Sequence, residues 1–232
     1  MNGDRSGRWA AVSGLLFVAL AVVGNLLITN QPDNSKTDAV RRFTEYFSKT
    51  SNQNRAGLAF VLLIFSVFFF VWFLGGLRIR LRGSQSEPGS LPTVAVAGGV
   101  VFATLAGAAA VFATAVGTTL SYADAYRLDP NTAILFQSLG YALLVGAMLG
   151  AGVLMLATWQ VARQTKVLPL WLAWVGFVFG IATLGVFFTA FITILAFDLW
   201  VLLASIVMLM PGPAPRAGVE HTSAGGSDLS SG

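Results

Sequence analysis

Between Leu170 and Met210 the chain runs for 41 residues with a single charged side chain, Asp198. As one α-helix this run would be about 60 Å long at ~1.5 Å per residue. That is about twice the ~30 Å hydrocarbon core of a bilayer. The segment is therefore expected to fold back as two membrane spans, with the reversal between Ala190 and Asp198, where neither Gly nor Pro marks it. The rest of the chain has the same character: 56% of its 232 residues are hydrophobic and only 10% are charged. Soluble domains carry about 25% charged residues.

The sequence predicts an all-α, polytopic transmembrane bundle of six spans, at about 9–30, 56–77, 93–120, 131–161, 170–190 and 193–210. The first ends before Pro32, the second stops at Arg78, Arg80 and Arg82, and the third starts after Pro92. The fourth opens at DPNTA, where Asp129 can cap the helix and Pro130 takes its first position. Residues 1–8 read as a cytoplasmic N-terminus. Residues 211–232, rich in Pro, Gly, Ala and Ser, read as a disordered cytoplasmic tail in which His221 is solvated. A cleaved signal peptide ending near Ala19–Ala21 is the competing reading of the first span. Against it, the apolar run continues through Val22, Val23, Leu26, Leu27 and Ile28.

Orientation follows from the short loops. Arg78, Arg80, Arg82, Arg163 and Lys166 fall on one side, and only Arg127 falls in a short loop on the other. Short-loop cations mark the cytoplasmic face, which places both termini in the cytoplasm of a cell (plasma) membrane protein. Trp9, Trp72, Trp159, Trp171 and Trp174 lie near the same face, at the headgroup level that Trp prefers.

The one long loop, on the opposite side, places Val40, Phe43 and Phe47 on one stripe, with Tyr46 beside them. It offers Asp38–Arg42, Arg41–Glu45 and Glu45–Lys49 pairs elsewhere. The spacing predicts a short amphipathic helix over Asp38–Ser48, with Ser35 as its N-cap, lying on the membrane surface or over the bundle.

Small residues recur at four-residue spacing: Gly99, Ala103 and Gly107 in the third span, with Ala106 and Ala110 beside them. Gly146 and Gly150 repeat the spacing in the fourth span, as do Gly176 and Gly180 in the fifth. Such rows let helices approach closely in lipid, within the bundle or against a second copy. Polar residues inside the spans are fewer: Asn25, Thr114, Thr118, Thr119, Gln137, Tyr141, Thr189, Thr193 and Asp198. Most fall toward the outer half. Gln137 and Tyr141 share a helix face. They can join helices by hydrogen bonds. Alternatively Asn25, Gln137, Tyr141 and Asp198 line an outward-facing vestibule for a small, partly polar ligand. A reversal near Ala190 would bury Asp198 about two turns deep, where an intramembrane carboxyl is a functional candidate.

Enzyme chemistry finds little to work with. The chain has no Cys, its single His is in the tail, and no HExxH, Walker or Ser-His pattern occurs. No cofactor, metal or nucleic acid is expected. The expected partners are the lipid bilayer and a membrane protein or second copy. At KVLPLWLAWVGFVFGIATLG (Lys166–Gly185) the chain resembles small six-span integral membrane proteins of actinobacteria, a family of unknown function. DAVRRFTEYF and LRIRLRG fit the same pattern. The resemblance implies six spans and a bacterial plasma membrane; its motifs are topological and bring no site residues. The expected function is that of a non-enzymatic accessory protein or small-ligand binder. The alternative is a small secondary transporter or proton-coupled permease using Asp198.

Overall fold

Apolar runs bounded by charged or Pro-containing segments become seven helices in the computed structural model. It describes residues 3–83, 89–123, 127–166, 168–183 and 186–210; the side chains of 3–6, 83 and 186–191 are not described. The helices are α1 (Gly3–Ile28), α2 (Ala39–Phe47), α3 (Thr50–Gly83), α4 (Leu91–Tyr122), α5 (Pro130–Thr165), α6 (Leu170–Ala182) and α7 (Val186–Leu209). The tail from Pro211, with His221, lies outside the described residues. Among the described residues, five helices are long and apolar enough to cross a membrane. In hydrocarbon a backbone must satisfy its own polar groups, which selects continuous helices.

The helices form a ring: α1 packs on α3 and α7, α3 on α4, α4 on α5, α5 on α6, and α6 on α7. Their outward faces are apolar. On α3, Leu58, Val61, Phe65, Phe68 and Trp72 form an exposed stripe at three- and four-residue spacing. That face suits lipid and would be an unusually large apolar patch in water. One end of the ring carries the start of α1, the end of α7, Arg78, Arg80, Arg82 and the α5–α6 turn; this is the terminal end. Arg80 Nη2 donates to the Met208 carbonyl at 2.6 Å there, satisfying one of the carbonyls a helix C-terminus leaves open. The other, the loop end, carries the α1–α2–α3 connection and the α4–α5 turn.

The last reversal differs from the sequence expectation. It falls between Thr183 and Val186, not between Ala190 and Asp198. α6, with 13 residues, therefore rises only about 20 Å. Its tip settles into α5 at Gly152, where an added Cβ would collide with Thr183 Oγ1. Thr183 Oγ1 in turn donates to the Gly180 carbonyl at 2.6 Å. The early turn lengthens α7 and puts Asp198 at its middle, twelve residues from Val186 and eleven from Leu209.

Close helix crossings occur at glycines, though not at all those the sequence singles out. A Cβ on Gly150 would lie 2.7 Å from Phe102 N and 2.8 Å from Gly98 O, and one on Gly98 would lie 2.8 Å from Gly150 O. α4 and α5 thus meet backbone to backbone, through Gly98 as much as Gly150. Gly99 faces Leu74 of α3, Gly146 faces Leu105, Gly176 faces the Trp200 indole, and Gly180 faces Leu156. Ala103 is buried. Gly107 is the exception: a Cβ there would meet only Val67 Cγ1, at 3.9 Å, which is ordinary contact.

The loop segment folds as α2, with Ala39, Phe43 and Phe47 buried against Val116 and Ala133. Val40, expected on the buried stripe, is exposed. Ser35 does not cap the helix; its hydroxyl donates to Asp33 Oδ1 at 2.7 Å. Asp38 instead accepts from Arg42 at 2.8 Å and Arg41 at 2.9 Å.

Candidate functional site

The ring does not close completely at its centre. A cavity of about 240 Å³ lies among α1, α3, α4, α5 and α7. Asn25, Gln137, Tyr141 and Asp198, singled out by sequence on three different helices, all line it. Of the other polar residues that the sequence places inside the spans, Thr114, Thr118, Thr119 and Thr193 do not. Thr114 is buried and donates to its own helix at Ala110 O, 2.7 Å. Thr118 Oγ1 is buried without a partner, Thr119 is exposed, and Thr193 is buried off the cavity. The side chain of Thr189 is outside the described residues.

The floor is aromatic. Phe17, Phe102 and Phe197 line it and meet ring to ring, Phe102 to Phe197 at 4.5 Å and Phe17 to Phe102 at 6.2 Å. Phe70 closes the cluster behind them, 4.9 Å from Phe102. These rings come from α1, α3, α4 and α7. Each such pair contributes roughly 0.5–1.5 kcal/mol beyond simple burial, so the floor is also where four helices are fastened together.

The walls are made by small side chains. Ala21 of α1 and Ala106, Ala109, Ala110 and Ala113 of α4 all face the cavity. Ala106 and Ala110, which the sequence presents as a packing row, therefore stand beside empty space. Leu63, Ser66 and Val67 complete the α3 side. The Ser66 hydroxyl is turned back to Leu63 O at 2.7 Å.

The loop end of the cavity is bridged. From Ile28 to Phe17 on α1, and from Gln137 to Met148 on α5, the lining spans eleven residues, about 16 Å of rise. At the top, Gln31 Nε2 donates to Ala113 O of α4 at 3.2 Å. Gln137 Nε2 of α5 donates to Pro32 O at 3.2 Å, and Asn34 Nδ2 to Ser138 Oγ at 2.9 Å. Because α1 faces α4 and α5 across the cavity, residues 31–34 cross its mouth as a strap. Gln137 Oε1 is left buried with no hydrogen bond. Asn25 Nδ2 is bonded back to Ala21 O at 2.8 Å. Tyr141 is half exposed and makes no side-chain hydrogen bond. Sequence reading missed Gln31 and Ser66. The signal for Gln31 was an amide beside Pro32 where the first span ends.

Asp198 sits one residue from Phe197, at the level of the floor. It is 6% exposed and is the one carboxyl lining the cavity, where no Lys or Arg joins it. Among the described residues nothing donates a hydrogen bond to it and no cation pairs with it. An ionisable group at this depth is costly in a membrane, and a buried polar group without a partner forfeits about 1–3 kcal/mol. The arrangement combines an amide-rimmed mouth, apolar walls and one unsatisfied carboxyl at the bottom. No group of three or more His, Cys, Asp or Glu that could hold a metal ion occurs among the described residues. No family model matches the chain, and no curated protein or solved structure matches it.

Proposed function

We propose that the chain is a plasma-membrane protein that crosses the bilayer six times, with both termini in the cytoplasm, and binds a small ligand in the central cavity. In this reading it is not an enzyme, and the strap-covered mouth faces outward. Supporting the orientation, Arg78, Arg80, Arg82, Arg163 and Lys166 share the terminal end with exposed Trp9, Trp72, Trp171 and Trp174. The short α6 counts as the fifth span in this reading. The observation that carries the binding role is the convergence of Asn25, Gln137, Tyr141 and Asp198 on one apolar-walled space. A purely structural accessory protein has no use for a 240 Å³ void, since unfilled volume forfeits packing.

The test is a thermal-shift screen of the purified protein against small amphiphiles, with Ala110→Phe as the comparison. A phenyl ring at position 110 fills the cavity from the α4 wall. The wild type is expected to be stabilised by one compound class and the variant to lose that response. Equal responses from both proteins would place the binding elsewhere.

A second reading is favoured by the mid-helix position of Asp198: a secondary transporter that couples ligand or proton movement to this carboxyl. Proteoliposomes loaded with a cavity ligand distinguish the two. Ligand release that depends on Asp198 supports transport, whereas binding without release supports a receptor-like or carrier-subunit role.

A further inference from the structure

We infer that the cavity takes a small organic cation, its ammonium group on the Asp198 carboxyl and its apolar body against the alanine and phenyl walls. This rests on the binding role proposed above and narrows it to a ligand class.

Asp198 is the sole carboxyl on the cavity and no Lys or Arg lines it; it is 6% exposed and without a partner among the described residues. An anionic ligand would meet this carboxyl with no Lys or Arg on the cavity to offset it. A neutral hydrocarbon would fill the walls and leave the carboxyl unsatisfied, which is the costly state for a buried polar group. A bare metal cation prefers about six or more oxygen ligands. The floor offers one carboxyl, and the Ser66 hydroxyl is already committed to Leu63 O. An ammonium group suits the site on each count. It donates one or two hydrogen bonds to the carboxyl, and the aromatic rings of Phe17, Phe102 and Phe197 line the same floor, a side-chain type that attracts cations.

Size sets the body. A dry cavity of about 150 Å³ holds a benzene molecule, so the 240 Å³ here suits roughly ten non-hydrogen atoms by the same scale. An arylalkylamine of that size reaches from the floor toward the level of Tyr141. Gln137 Oε1, buried and unpaired, remains near the mouth as a second acceptor for a longer ligand.

Three compounds of one shape test this: 4-phenylbutylamine, 4-phenylbutanol and 4-phenylbutyrate, titrated calorimetrically at pH 7 into the full-length protein in detergent micelles. The amine is expected to bind at least tenfold more tightly than the alcohol, and the carboxylate not detectably. In Asp198→Asn the amine is expected to fall to within threefold of the alcohol. Ala110→Phe is expected to abolish binding of both. The cation inference is overturned if amine and alcohol bind the wild type equally, or if the amine preference survives in Asp198→Asn. In either case, alcohol binding that Ala110→Phe abolishes leaves the cavity reading standing. Absence of binding by all three compounds, or binding indifferent to Ala110→Phe, overturns both. If Asp198→Asn fails to fold, the amine-to-alcohol ratio of the wild type decides alone.

Discussion

Asp198 occupies a position where leucine would be the stable choice. Its neighbours Phe197, Trp200 and Val201 are fully buried, and nothing among the described residues rewards the carboxyl for being there. Asp198→Leu is therefore expected to raise stability by about 1–3 kcal/mol, read by denaturant titration of the helical signal, while removing any amine binding. A comparable loss of stability would instead mean that the carboxyl has a structural partner. Asp129 illustrates the opposite case, a carboxyl with a plain local role. It accepts from Asn131 N at 3.1 Å and Thr132 N at 3.2 Å at the start of α5. The Thr132 hydroxyl, then the Asn131 amide, hold it below the ordinary value of 3.8. Because the folded state favours its charged form, its stabilising effect is complete above about pH 3.8 and fades as pH falls through the lower folded value. Asp129→Ala is expected to lower the melting temperature at pH 7, and the gap to the wild type should shrink at pH 3. A gap of the same size at both pH values would count against the cap.

At the scale of helices, one comparison separates contact from coincidence. Gly150 and Gly107 both stand in four-residue rows of small residues, but only Gly150 meets backbone on the neighbouring helix. Gly150→Leu is expected to force α4 from α5 and remove most of the monodisperse peak in size-exclusion chromatography. Gly107→Leu is expected to cost less than about 0.5 kcal/mol, like other uncrowded positions. Equal losses would show that Gly107 packs against something the monomer does not contain, such as a second copy. The same pair explains what was legible. Spacing places residues on a shared face, so Gln137 with Tyr141, and the α5 start at Asp129–Pro130, could be read directly. Spacing does not say what lies opposite, so the row through Ala106 and Ala110 read as packing when it borders the cavity. The α6–α7 turn was hidden for a related reason. Hydropathy is nearly uniform from Leu170 onward, and the turn is set by α6 docking its tip on Gly152, a contact between residues 31 apart. Asp198 was recognised as unusual from sequence, but its depth depended on that unseen turn.

For the whole molecule, the direction in which the cavity opens decides from which side a ligand would enter, and the chain lends itself to finding out because it has no cysteine. Thr37 is exposed at the strap end and Gln164 at the terminal end, so single Cys substitutions at each report the two faces without a background to remove. In intact cells a membrane-impermeant maleimide is expected to label Thr37→Cys, and to label Gln164→Cys only after permeabilisation. The expectation rests on the short-loop cations Arg78, Arg80, Arg82, Arg163 and Lys166, which set orientation during insertion. The reverse pattern would keep the fold and the cavity but turn its mouth to the cytoplasm, making the ligand a cellular amine rather than an environmental one. Labelling of both positions from one side would be more damaging. Thr37 precedes α3 and Gln164 ends α5, so three spans separate them, and an odd number must bring them out on opposite faces. The same arithmetic, continued through α6 and α7, returns the chain to the side of Gln164 only if the short α6 reaches far enough across the bilayer for its Thr183 end to face the strap end. A third substitution, Ala182→Cys, exposed near the tip of α6, tests that step. Labelling from the Thr37 side gives six spans, and complete protection leaves the tip of α6 within the hydrocarbon as a re-entrant element beside the cavity.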